Sequence, residues 1–231
     1  LATGGSGLVR AAYSSGTPAI GVGSGNVPVL IEKSADARFV VSQVLSSKTF
    51  DNGTVCCSEQ AIVVEQAIAD DIIAEFKKQK AYFLSDSEIP KLESVAFDKE
   101  KGIMNAAIIG KPAAEISKLA GLDAPPDVTV LIARLKGVGP DYPLSSEILA
   151  PILAFYTVPS FDDAAKLCIE INFHGGMGHT ASIYSNDEEK IRKFALLMNA
   201  GRILVNTPSS QGGVGGFYNT LSPSLTLGCG T

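Results

Sequence analysis

Short apolar runs of strand length alternate along this chain with longer segments whose apolar residues recur at helical spacing. That alternation restricts the fold more than any other feature. Strands are expected over residues 18–22, 27–31, 61–64, 106–109, 128–133, 151–158, 180–184 and 202–206. Helices are expected where Leu8, Val9, Ala11, Ala12 and Tyr13, then Val40, Val41, Val44 and Leu45, then Ile68, Ile72, Ile73 and Phe76 recur, and over 112–120, 161–171 and 187–200. Ser34 stands where it could cap the second of these. Strand followed by helix, repeated, is the pattern of an α/β fold with largely parallel strands.

Composition narrows the function classes. With 231 residues, 45% of them hydrophobic and 19% charged, the chain can build a core of ordinary size, as one large domain or two small ones. Its net charge is -5, and its nineteen Lys and Arg are scattered, without the basic patch that nucleic acid requires. No apolar stretch reaches the roughly 18 residues needed to span a bilayer, and the start has no basic segment followed by an apolar one. A cytosolic protein without nucleic-acid or membrane partners is expected. Cys56, Cys57, Cys168 and Cys229 include no CxxC pair, and His174 and His179 are the only histidines, so no metal site is expected. The chain begins as if in mid-strand at Leu1-Ala2-Thr3-Gly4 and stops at Gly230-Thr231 without a polar tail, which reads as a truncated chain.

Three features invite a functional reading beside a bland one. Gly4-Gly5-Ser6-Gly7 between a strand and a helix suits a phosphate-binding turn, yet such turns are common without ligands. Cys56-Cys57, after the turn Asp51-Asn52-Gly53 and before Ser58-Glu59-Gln60, sits in a polar setting unlike that of a buried structural cysteine, though two small core residues would also fit. Gln211-Gly212-Gly213-Val214-Gly215-Gly216 is too glycine-rich for a regular helix or central strand and reads as a loop packed over something. A domain boundary fits near residues 48–52.

The run Thr49-Phe50-Asp51-Asn52-Gly53-Thr54-Val55-Cys56-Cys57-Ser58-Glu59-Gln60 resembles the nucleophile segment of coenzyme-A-acylating aldehyde dehydrogenases, including the aldehyde dehydrogenase half of bifunctional aldehyde-alcohol dehydrogenases. Ala2-Thr3-Gly4-Gly5, Gly21-Val22-Gly23-Ser24-Gly25-Asn26, Gly178-His179-Thr180, Val205-Asn206-Thr207-Pro208, Ser209-Ser210-Gln211-Gly212-Gly213 and Ser222-Pro223-Ser224-Leu225-Thr226-Leu227-Gly228 extend the likeness over nearly the whole chain. The resemblance implies an α/β, aldehyde-dehydrogenase-like, three-layer fold with largely parallel sheets. Residues 1–48 would close an NAD-binding domain, 49–205 would form the catalytic domain, and 206–231 would return toward the NAD-binding and oligomerisation region. The upstream half of the cofactor domain, with an asparagine that completes the oxyanion hole, would lie outside this chain, leaving a catalytically incomplete fragment as one reading.

The same resemblance assigns Cys56 as the nucleophile. Cys57 replaces a more usual alanine, which leaves open the choice of thiol and a vicinal disulfide on oxidation. His179 is implied as the group acting on the coenzyme A thiol or the thioester. Thr3, Gly4, Gly5, Gly21 and Glu147 are implied around NAD, with Glu147 of Ser145-Ser146-Glu147-Ile148-Leu149-Ala150-Pro151 on the nicotinamide ribose. Hydrolytic members carry a glutamate where this chain has Gly21. Lacking that base for water, the acyl-enzyme is expected to pass to coenzyme A, whose thiolate needs less help. Glu59 as a substitute base, and hence a hydrolytic NAD(P)-dependent enzyme, is the alternative. The implied reaction is reversible oxidation of a small aldehyde, acetaldehyde in the family, to acyl-CoA by a cytoplasmic or microcompartment-housed homo-oligomer.

Overall fold

In a computed structural model, described over residues 1–98, 101–216 and 218–225, the chain opens on a small parallel pair, β1 (Ala2–Thr3) and β2 (Gly21–Val22). The pair is bridged by α1 (Ser6–Tyr13), and Ala2 lies beside Gly21 and Thr3 beside Val22. The chain then enters a larger sheet through β3 (Pro28–Ile31), α2 (Ala37–Thr49), β4 (Ala61–Glu65), α3 (Gln66–Lys78) and β5 (Ala81–Phe83). Next come α4 (Ile89–Ala96), the antiparallel hairpin of β6 (Phe97–Asp98) and β7 (Ile103–Met104), and α5 (Ala113–Ala120). The sheet resumes with β8 (Val130–Arg134), β9 (Ile152–Val158), α6 (Phe161–Gly175), β10 (Gly178–Tyr184), α7 (Glu188–Leu197) and β11 (Ala200–Val205), and α8 (Ser209–Val214) follows.

Seven strands run in the order β11-β10-β3-β4-β9-β8-β5, every neighbouring pair parallel. The expected α/β architecture with a largely parallel sheet is therefore the observed one. Both faces are covered, as all-parallel sheets require. Val29, Ile31, Ile62, Val64 and Ile132 meet α2 and α3 through Val40, Val44, Ile72 and Phe76. On the other face Leu30, Val63, Ala154 and Ile183 meet α6 and α7 through Ala164, Cys168, Ile171 and Phe194, while α4 and α5 cover Leu131 and Ala133. Strands buried on both sides explain why these runs are continuously apolar rather than alternating.

Several local expectations are corrected. Residues 106–108 form a 3-10 turn rather than a strand, because the Asn105 side chain accepts from the Ala107 N–H at 3.0 Å and starts a helical turn. Asp36, not Ser34, caps α2, accepting from the Phe39 N–H at 2.7 Å. Residues 209–214 are helical despite Gly212 and Gly213. The buried Glu59 carboxylate and Ser47 hydroxyl accept from the Ser209 and Ser210 N–H groups at 2.8 Å each, and so satisfy the start of that helix. Cys229 and the end of the last motif, Thr226-Leu227-Gly228, lie outside the described residues.

Candidate active site

Four segments far apart in sequence lead into four adjacent strands, β10, β3, β4 and β9, and so come together at one edge of the sheet. They are 176–179, 23–26, 56–60 and 145–148. This is the edge where strands begin, opposite to the carboxyl ends at which open α/β sheets usually bind ligands.

The nucleophile candidate enters through a strained turn. Asp51, Asn52 and Gly53 all have positive φ (47°, 49° and 75°). Gly53 cannot carry a Cβ there, since one would lie 2.8 Å from the Ala150 carbonyl. Beyond the turn the two thiols separate. Cys57 is fully buried, donates to the Ser210 carbonyl at 3.5 Å, and touches Gly213 so closely that a Cβ on Gly213 would meet its Sγ at 2.7 Å. Burial pushes the Cys57 thiol far above its ordinary range, with the Cys56 and Glu59 charges adding to this. Cys56 is only half-buried and carries a free thiol. Burial, then the Glu147 charge, raise its pKa; its own N–H, the Arg202 guanidinium and the Cys57 N–H pull it back. The two backbone N–H groups and the Arg202 charge offset only part of the burial and the Glu147 charge, so the resting sulfur favours the thiol.

Glu147 faces Cys56. Burial pushes its carboxyl up to about 7 against the opposing pull of the Gly25 N–H, which donates to it, and of Lys48. Its Oε1 is buried without a partner among the described residues. That oxygen is suited to a hydroxyl donor from outside the chain.

His179 lies flat beneath Gly25, where a Cβ would stand 2.4 Å from its Cγ. Its Nδ1 pairs with the Thr180 hydroxyl at 3.0 Å. The ring is 1% exposed, and burial, reinforced by Arg202, lowers its pKa to about 4, so it is neutral at pH 7. His174 stands apart and meets the Ser146 hydroxyl at 3.1 Å.

Thr3, Gly4, Gly5 and Gly21 form a second cluster around α1, linked to the first through 23–26. The Gly4 N–H donates to the Val22 carbonyl at 3.0 Å, and Gly5 faces open space at the start of the helix. A cavity of about 500 Å³ lies between α1 (Ser6, Val9, Arg10, Tyr13) and Gly23, Ser24 and Gly176. Gly21 has no room for a side chain: a Cβ would fall 2.4 Å from Val9 Cγ1 and 2.9 Å from Tyr13 Cε2, and its N–H donates to the Tyr13 hydroxyl at 2.9 Å. Glu59 is fully buried behind Cys57, with Oε1 on the Ser209 N–H at 2.8 Å. It supports α8 rather than facing the Cys56 sulfur.

Sequence reading overlooked three contributors. Asn26, fully buried, donates to the Ser145 carbonyl at 2.7 Å and the Ile171 carbonyl at 3.2 Å, and Asn172 donates to its carbonyl at 2.9 Å. Lys48 is fully buried below the nucleophile segment, and Arg202 carries its charge in from β11. A lysine and an arginine look like surface residues in a sequence, and no local pattern marks these two as otherwise. Among the described residues no three His, Cys, Asp or Glu side chains are grouped to hold a metal ion.

The aldehyde dehydrogenase family model matches residues 3–94. The bifunctional aldehyde-alcohol dehydrogenase of Escherichia coli is 45% identical over 235 residues, covering all of this chain. The chain is thus similar over its whole length to part of an aldehyde-alcohol dehydrogenase, and over residues 3–94 to the aldehyde dehydrogenase family. It spans only 26% of that relative's length. Among solved aldehyde dehydrogenases, an acetylating enzyme from Geobacillus thermoglucosidasius superposes with a TM-score of 0.94 at 47% identity, covering 99% of this chain and 50% of the other. A propionaldehyde dehydrogenase from Rhodopseudomonas palustris, solved with bound CoA and an acylated cysteine, gives 0.82 at 29% identity, covering 94% and 49%.

Proposed function

We propose that the protein carrying this chain is an NAD-dependent, coenzyme-A-acylating aldehyde dehydrogenase, oxidising a small aldehyde such as acetaldehyde reversibly to acyl-CoA. The observation that carries this reading is the packed space at Gly21, taken together with the half-buried Cys56 thiol. No carboxylate can stand there to activate water, and Glu59 is turned to α8. The relatives with acetylating activity and with a CoA-bound acylated cysteine support the same choice of acceptor.

Cys56 is assigned as the nucleophile because it is the half-open thiol of the pair, while Cys57 is sealed under Gly213. Its thiolate adds to the aldehyde carbonyl as a thiohemiacetal, and the negative charge growing on oxygen would be met by N–H groups of the same segment. NAD, when bound, supplies the hydride acceptor. Thr3, Gly4 and Gly5 at the start of α1, together with Gly21 and Glu147, would hold it, and the unpartnered Glu147 Oε1 fits a ribose hydroxyl. Oxidation leaves a thioester on Cys56. The coenzyme A thiolate then attacks the acyl carbon, releasing acyl-CoA and restoring the Cys56 thiolate. His179, neutral at pH 7 and packed beneath Gly25, is assigned as the group acting on the coenzyme A thiol or on the thioester. Segments 1–48, 49–205 and 206–231 are taken as cofactor, catalytic and return segments, with β3 and α2 of the first built into the catalytic sheet. Homo-oligomeric assembly and a cytoplasmic or microcompartment location rest on the family resemblance alone.

The test uses the full-length natural protein with aldehyde and NAD, with and without coenzyme A. Without it, a burst of about one NADH per site is expected and turnover should then stop. Continuous NADH formation with free acid as product, indifferent to coenzyme A, refutes the reading.

A further inference from the structure

Lys48, in the last turn of α2, is fully buried, and its Nζ donates to Gln60 Oε1 at 3.0 Å and to the Ile148 carbonyl at 3.2 Å. Gln60 Oε1 also accepts from the Ile148 N–H at 3.1 Å. One ammonium and one carboxamide therefore bind the segment just after Cys56 to the segment just after Glu147. A neutral donor would serve as a cross-link. A buried ammonium bonded only to neutral acceptors is costly, because a charge leaves water without a direct counter-ion. The charges it feels, those of Glu59 and Glu147, act at longer range.

We propose that Lys48 is a positioning residue for the reaction: its side chain, with Gln60, ties the nucleophile segment to the Glu147 segment and so sets where Glu147 stands for the cofactor. This rests on the assignment of Glu147 to the ribose. The other charged and titratable groups are Glu59, which acts on Lys48, Cys56, which feels Glu147 and Arg202, and His179, which feels Arg202. Burial opposes charge on both partners, drawing Lys48 down to about 7 and Glu147 up to about 7. Removing the lysine leaves Glu147 with the Gly25 N–H alone, so its ionisation moves to higher pH.

The test measures NAD affinity by calorimetry from pH 6 to 9 in the full-length protein, together with the rate of Cys56 alkylation without cofactor. Glu147→Gln is expected to weaken NAD binding about tenfold across the range. Lys48→Met should weaken it about tenfold at pH 7 and recover as pH rises, since ionising a raised carboxyl needs higher pH. In the Glu147→Gln background Lys48→Met should add less than about twofold, and alkylation at pH 7 should then no longer respond to the lysine. Lys48→Gln, which keeps a donor for Ile148 without the charge, replaces Lys48→Met if that variant does not fold. A weakened Glu147→Gln protein beside Lys48 variants with unchanged affinity and pH dependence overturns the role of Lys48 alone. An unaffected Glu147→Gln protein overturns the ribose assignment and the Lys48 proposal with it.

Discussion

At the scale of the residue, adjacency in sequence says little about chemical equivalence. Cys56 and Cys57 are neighbours, yet the turn at 51–53 and the glycines of α8 give one a half-open setting and the other a sealed one. Iodoacetamide should therefore label Cys56 first by mass spectrometry, and Cys56→Ser should lose at least about a thousandfold in kcat/KM, whereas Cys57→Ala should stay within about tenfold. The sign of the electrostatics is also testable. Glu147 raises the Cys56 pKa, so Glu147→Gln should move the midpoint of the alkylation-pH curve downward. An upward shift would show that the carboxylate does not face the thiol.

Elements decide which side chains the site can accept. The helix α1 lies against β2 so tightly that Val9 and Tyr13 occupy the space a side chain at 21 would need, and the Tyr13 hydroxyl takes the Gly21 N–H. Gly21→Glu consequently should not create a hydrolytic enzyme. It is expected to displace α1, cost roughly 1–3 kcal/mol of stability as an overpacked site does, and produce no free acid beyond the parent protein, checked by thermal unfolding and product analysis. The glycine at 21 was legible in the sequence as a missing carboxylate. That it is also a steric requirement became visible only once α1 was placed on β2.

On the scale of the whole molecule, the candidate site is a property of strand order. Central strands β10, β3, β4 and β9 are paired on both edges and covered on both faces, while β5 is an edge strand and β6-β7 an isolated hairpin. Native-state hydrogen exchange should accordingly find the slowest amides in β3, β4 and β9, at least about a hundredfold slower than those of β6 and β7. Equal protection in the hairpin and the central strands would contradict this organisation. A rigid central sheet also keeps the four site segments at fixed separations, as a reaction on a covalent intermediate requires.

The sequence by itself determined that the strands are buried and parallel, because continuous apolar runs alternating with helix-spaced ones leave few other solutions. The Cys56 motif and the glycine at 21 were equally legible, since each is a local pattern of a few consecutive residues. Periodicity records which face of a strand is buried and carries no information about which strand lies beside it. Only the tertiary structure could bring Gly25, Cys56, Glu147 and His179 to one sheet edge, turn Cys57 inward, or place Lys48 beneath them. Each of those outcomes depends on pairing between distant strands and on burial, and a charged side chain shows nothing of its desolvation until the surrounding chain has closed over it.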